Sequence, residues 1–291
     1  MKKIDITKIE QIKEKHFNYC KTLRPFSHKK IKDEVCYLLC CEIPFNFDQP
    51  YTKDKYKYIK EDYYKYIGDE SISYESQYTS FRTQTERNME WNGVKLIEHL
   101  GIDVCPYCGL NYISTVNKEN GKCITTATFD HYLPKSKYKF LALNLYNLIP
   151  VCKNCNSTFK GAEEKRIINP YFDAVEDNIT FNIKNLLEQI LNNNVEPEIE
   201  ILYDPTDEKI ENHCNILLLY ERYNYFKNLI KSLIYKRHKY NRKYLKQIKD
   251  ILADFSILQF EKSLVIQDLL SKDEPFLKFK KDIWRQLSSE N

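Results

Sequence analysis

The sequence predicts an α+β protein, a predominantly helical chain with a small, irregular, strand-bearing centre. Three observations point there. All six glycines (Gly68, Gly93, Gly101, Gly109, Gly121, Gly161) fall between positions 68 and 161, which concentrates tight turns in the middle of the chain. No proline or glycine lies between Pro205 and Pro275, so the end of the chain is free to run as long helices. Two Cys-x-x-Cys pairs, Cys105/Cys108 and Cys152/Cys155, bracket the centre. The expected division is a mainly helical region at 1–95, the cysteine-bracketed finger at 96–170 and a helical region at 171–291. A chain of 291 residues is long enough for one or two domains with real cores.

In the first region, Ile4, Ile9, Ile12 and Phe17, and then Ile31, Val35, Leu38 and Leu39, recur at helical spacing. Cys36, Cys40 and Cys41 share that apolar face and read as buried thiols. The stretch from Tyr51 to Tyr78 mixes tyrosine with lysine. It reads as a polar helix and loop, with base stacking as the alternative. In the last region, Leu218, Leu219, Tyr223, Phe226, Leu229, Ile230, Leu233 and Ile234, followed by Tyr244, Leu245, Ile248 and Leu252, form an apolar stripe. Residues 220–250 carry ten basic side chains against only Glu221 and Asp250. Lys236, Arg237, Arg242 and Lys243 are therefore candidates for contact with a phosphate backbone, though a solvated helix face is an equal reading. His213, beside Cys214, reads as structural.

Composition narrows the class. Mean hydropathy is −0.60 with 30% charged residues, and no apolar run approaches the ~18 residues that a membrane span needs. Met1-Lys2-Lys3-Ile4-Asp5 lacks an apolar segment behind its charge, so no secretory signal and a cytoplasmic location are expected. Ten cysteines in a reducing compartment are thiols or metal ligands, not a disulfide framework. A net charge of only +4 makes any nucleic-acid claim depend on local charge. No Walker-type glycine-rich loop is present, so an ATPase would have to be another chain.

The centre carries the chemistry. Each Cys-x-x-Cys can aim two thiolates at one ion, and two such knuckles give four soft ligands at tetrahedral geometry, the choice of structural Zn²⁺. Cys123 lies outside the pairs. Between them, Thr126 to Tyr132 reads as a strand, Leu133 to Tyr138 as a loop, Leu145 to Cys152 as a second strand, and Lys153 to Lys160, stopped by Gly161, as about two turns of helix. His131 is a candidate general base for activating water. Asp130 and Asn156 can offer hard oxygens to Mg²⁺ or Mn²⁺. Such an ion would bridge a scissile phosphate and its leaving oxygen.

Asp130-His131, Asn147, Cys152-x-x-Cys155-Asn156 and Lys160, with the upstream Cys105-x-x-Cys108, resemble the HNH (His-Me finger, ββα-metal) endonucleases of the zinc-stapled type. Among these, the layout is similar to bacterial defence-associated proteins such as the Septu nuclease subunit. The likeness covers roughly residues 100–170. It implies a DNA endonuclease, in phage defence or restriction, with His131 as base and with Asp130 and Asn156 on the catalytic ion. It also implies that Asn147 supports the loop that orients His131, and that Lys160 and Lys135 lie near the phosphate. The zinc staple would set the helix against the strand pair, since so small a unit has little core of its own. A separate ATPase or sensor subunit is the partner class expected, with no membrane. The competing reading is a non-catalytic zinc-stapled nucleic-acid-binding or scaffold protein.

Overall fold

The structure, a computed structural model, describes residues 1, 3–23, 33–43, 75–82, 90–119, 123–136, 138–192, 195–251, 256–257, 259–260 and 273–289. Its chain forms two compact units, one of Ile4–Ile102 with Ile113–Glu164, the other of Met1–Lys3, Asp103–Tyr112 and Lys165–Asn291. The tyrosine-rich stretch 51–74, together with Ile31 and Leu252 of the apolar stripes, lies outside the described residues.

The first unit holds helices Ile6–Glu10, Lys13–Thr22, Asp33–Cys41, Glu75–Arg82 and Gly93–Leu100. Asp5 accepts the Thr7 amide at 3.0 Å and starts the first helix. Asn92 accepts the Lys95 amide at 3.1 Å, and Gly101 closes that helix in the left-handed region at φ 61°. The chain then forms two antiparallel pairs, β1 (Thr115–Asn117) with β2 (Cys123–Thr125), and β3 (Ala127–His131) with β4 (Leu148–Cys152). In the second pair Ala127 faces Cys152 and His131 faces Leu148. Every residue of β4 is buried, as expected of an apolar run covered on both faces. The core around it includes Phe81, Leu96, Phe129, Leu141 and Tyr146. Gly93 permits a close approach, because a Cβ there would stand 2.7 Å from the Phe129 ring.

Two local features differ from the sequence expectation. The second strand begins at Leu148, not Leu145, because the Asn144 side chain accepts the Tyr146 amide at 3.0 Å and turns 145–147 into a 3₁₀ segment. The helix after β4, Asn154–Lys160, is π-wound, and the Gly161 amide reaches back five residues to Asn156 O at 2.8 Å. From this helix Asn156 and Lys160 both turn their side chains onto β3.

In the second unit, β5 (Thr180–Ile183) pairs antiparallel with β6 (Ile199–Leu202). Helix Leu277–Ser289 covers β5, Asp282 Oδ2 accepting the Phe181 amide at 3.0 Å and Gln286 bonding both the amide and the carbonyl of Ile183. Phe181, Tyr223 and Phe279 cluster at 4.3–5.2 Å between ring centroids. The apolar stripe is not one long helix. It is divided into Leu219–Asn224, Lys227–Lys239 and Arg242–Ile251, after the helix Glu208–Ile216, and its first residue, Leu218, stands at φ 48°. His213 is buried, and its Nε2 lies 2.9 Å from Tyr107 O. Among the described residues no helix is long and apolar enough to cross a membrane.

Candidate active site and metal centre

The thiols of Cys105, Cys108, Cys152 and Cys155 lie within 4.8 Å of one another, and all four residues are buried. Four sulfurs so close and so shielded fit a tetrahedral thiolate cage and no open coordination position. In the finger itself, Cys152 ends β4 and Cys155 sits in the first turn of the π-wound helix. The Cys108 sulfur also takes the Leu110 amide at 3.4 Å, the kind of second contact that holds a ligating sulfur in place. Cys123 stands apart, its thiol bonded to Asn117 Oδ1 at 2.6 Å.

His131, the last residue of β3, is 7% exposed. Its Nε2 stands 3.0 Å from Ala142 O. A carbonyl only accepts, so Nε2 carries the proton and Nδ1 the lone pair. Burial pulls the imidazole pKa down to about 4, with the Lys135 and Lys160 charges acting in the same direction and the bond to Ala142 opposing them. The ring is therefore neutral at pH 7. Asn147 holds the same loop: its Oδ1 takes the Leu133 amide at 2.7 Å, and its Nδ2 donates to Leu133 O at 3.2 Å and Leu141 O at 3.1 Å.

Asp130 and Lys160 form an ion pair at 3.1 Å, each side chain 1% exposed. The ammonium also donates to His131 O at 3.1 Å. Lys160, expected against a phosphate, is thus turned inward onto β3. Asn156 donates from Nδ2 to Thr128 Oγ1 and Phe129 O, both at 3.0 Å, which directs its amide hydrogens at the strand and leaves Oδ1 as the side-chain atom that could hold a metal. Lys135 Nζ lies 5.0 Å from the centre of the Tyr78 ring.

Tyr78 escaped the sequence analysis as a site residue. Its ring meets that of His131 edge-on at 4.5 Å, and burial pushes its hydroxyl up to about 12. It belongs to a helix some 50 residues upstream, and nothing in its local sequence marks that contact. The candidate phosphate contacts of the second unit divide by burial. Arg242 and Lys243 are exposed and Lys236 is half-buried. Arg237 is corrected: it is 6% exposed and stacks over Trp284 at 5.8 Å, so its charge belongs to the interior.

Residues 105–160 match the family model described as HNH endonuclease. A stretch of 53 residues, 17% of this chain, is 42% identical to the Septu protein PtuB of Bacillus thuringiensis. The match spans 20% of that protein's length, so the chain aligns with about a fifth of its curated relative. No solved structure matches. The segment bounded by the two cysteine pairs is thus similar to the HNH endonucleases.

Proposed function

We propose that the protein is a metal-dependent HNH endonuclease that hydrolyses phosphodiester bonds in DNA, acting in the cytoplasm in phage defence or restriction. The reading is carried by His131: a buried, neutral imidazole, protonated on Nε2 by its bond to Ala142 O and so presenting Nδ1 as a base. In this mechanism Nδ1 takes the proton of the attacking water. The Ala142 carbonyl and the Asn147 side chain keep the ring in that tautomer and orientation.

The buried Asp130 carboxylate and the Asn156 carboxamide oxygen are hard donors that fit Mg²⁺ or Mn²⁺. When bound, such an ion stabilises charge on the scissile phosphate and the leaving oxygen. Lys160 balances the Asp130 charge inside the fold. The four-thiolate cluster fits Zn²⁺ in a structural role. Exposed Arg242 and Lys243, with Lys236, add phosphate contacts from the second unit. The likeness to a Septu protein supports a defence role alongside a separate ATPase or sensor chain.

The test is plasmid cleavage in Mg²⁺ or Mn²⁺ by the wild type and His131→Ala. Wild type should nick or linearise the plasmid, with the variant at least about a hundredfold slower. Equal cleavage by the two would overturn the reading. DNA binding that falls steeply with salt, with no cleavage by either protein, would favour a zinc-stapled binding or scaffold protein.

A further inference from the structure

Resting on the nuclease reading, we infer that His16 is a positioning residue for His131, acting through the backbone turn at 141–144. Three successive carbonyls of that turn each take a side-chain hydrogen bond. Leu141 O receives Asn147 Nδ2 at 3.1 Å, Ala142 O receives His131 Nε2 at 3.0 Å, and Leu143 O receives His16 Nε2 at 2.7 Å. The next residue, Asn144, donates to Leu39 O and Glu42 O, both at 2.9 Å, at the end of helix Asp33–Cys41. Peptide planes are rigid, so a carbonyl is aimed by the two dihedrals on either side of its plane. With 141, 143 and 144 tethered, the carbonyl at 142 has one direction in which to point, and that direction sets which nitrogen of His131 keeps its proton.

His16 is itself held in one tautomer. Its Nδ1 accepts the Trp91 Nε1–H at 3.1 Å, and an indole nitrogen only donates. Its protonated Nε2 therefore faces Leu143 O, with the Cys20 thiol also 3.4 Å away. The ring is fully buried and edge-on to Phe81 at 5.3 Å. An apolar side chain would fill that space at lower desolvation cost, so the imidazole earns its place by the bond it donates. The N-terminal helices thereby become part of the active site without touching substrate.

The experiment uses the full, zinc-loaded chain with ¹⁵N-labelled histidine. Ring-nitrogen shifts distinguish Nε2–H from Nδ1–H, and cleavage kinetics give kcat and KM. His16→Leu should replace the single Nε2–H signature of His131 by a mixture, and lower kcat on the order of tenfold to a hundredfold, with KM within about twofold. His16→Gln, whose amide can donate to Leu143 O, should keep the signature and restore most of kcat. An unchanged His131 signature and kcat in His16→Leu overturns the inference, as does His16→Gln behaving like His16→Leu. Should His16→Leu fail to fold, Trp91→Phe keeps an aromatic ring beside His16 and removes the hydrogen bond on its Nδ1 together with part of the buried indole. It should mix the tautomers of both histidines, and wild-type signals there would overturn the inference too. The NMR arm needs no cleavage, so a chain that never cuts DNA removes the nuclease reading while the spectra still decide this one.

Discussion

The finger and the basic helices both stand out by their residue types, but the structure treats them differently. In the finger each motif side chain is tied to a particular atom: Lys160 to Asp130, His131 to Ala142 O, Asn147 to Leu133 and Leu141, Asn156 to Thr128 and Phe129. In helices Lys227–Lys239 and Arg242–Ile251 the charges differ chiefly in exposure, from buried Arg237 to exposed Arg242 and Lys243. A motif specifies geometry, because each of its members needs one partner at one distance. A charge run specifies only a potential, and single members can turn inward without altering the count.

The largest effect that would sharpen this contrast lies at the thiol cluster. Elemental analysis of the wild type should find one Zn²⁺ per chain, and Cys152→Ser should abolish it. Loss of several kcal/mol of metal-linked folding energy should lower the melting temperature by on the order of 10 °C. An unchanged melting curve would remove the structural role.

Acid should come next. Burial holds His16, His131 and His213 each at about 4, whereas the unfolded chain binds these protons near pH 6.5. Between those values the unfolded state carries more protons, so stability is full above about pH 6.5 and falls as pH drops toward 4. Every tenfold difference in proton affinity between the folded and unfolded chain corresponds to about 1.4 kcal/mol. Urea midpoints at several pH values should show the decline, and His16→Gln should make it shallower by up to one proton. Equal slopes for the variant and the wild type would contradict the burial account of His16.

The smallest effects fall on the basic helices and should separate by burial. Arg237→Ala should cost about 1–2 kcal/mol of stability through its lost packing and leave the salt dependence of DNA binding unchanged. Arg242→Ala with Lys243→Ala should leave the melting curve in place. That pair should reduce the slope of log affinity against log salt by about 0.9 per lost phosphate contact. The reverse pattern would erase the distinction between the two regions.

The four cysteines were legible because each pair is local and a tetrahedral thiolate site dictates the rest; the structure brings the sulfurs together. The α+β class was legible from the glycine distribution and the helical stripes. The 3₁₀ turn at 145–147 was hidden because it depends on one residue, Asn144, whose side chain accepts the Tyr146 amide and whose carbonyl accepts the Asn147 amide. Tyr78 and His16 were hidden for a stronger reason. Their significance lies in contacts made over 50 or more positions of chain, and no window of local periodicity contains both partners.

The widened winding of Asn154–Lys160 has a consequence for how this segment tolerates change. A turn holding one surplus residue is a place where the chain can be shortened by a single position without breaking the helix. Deleting Ser157 would let ordinary coiling resume, keep Cys152 and Cys155 at their spacing and, because four α-helical residues cover nearly the rotation and rise of five π-wound ones, leave Lys160 facing Asp130. The ammonium, the carboxylate and the sulfur cage would all keep their places, so this short stretch has a spare position that an ordinary helix lacks.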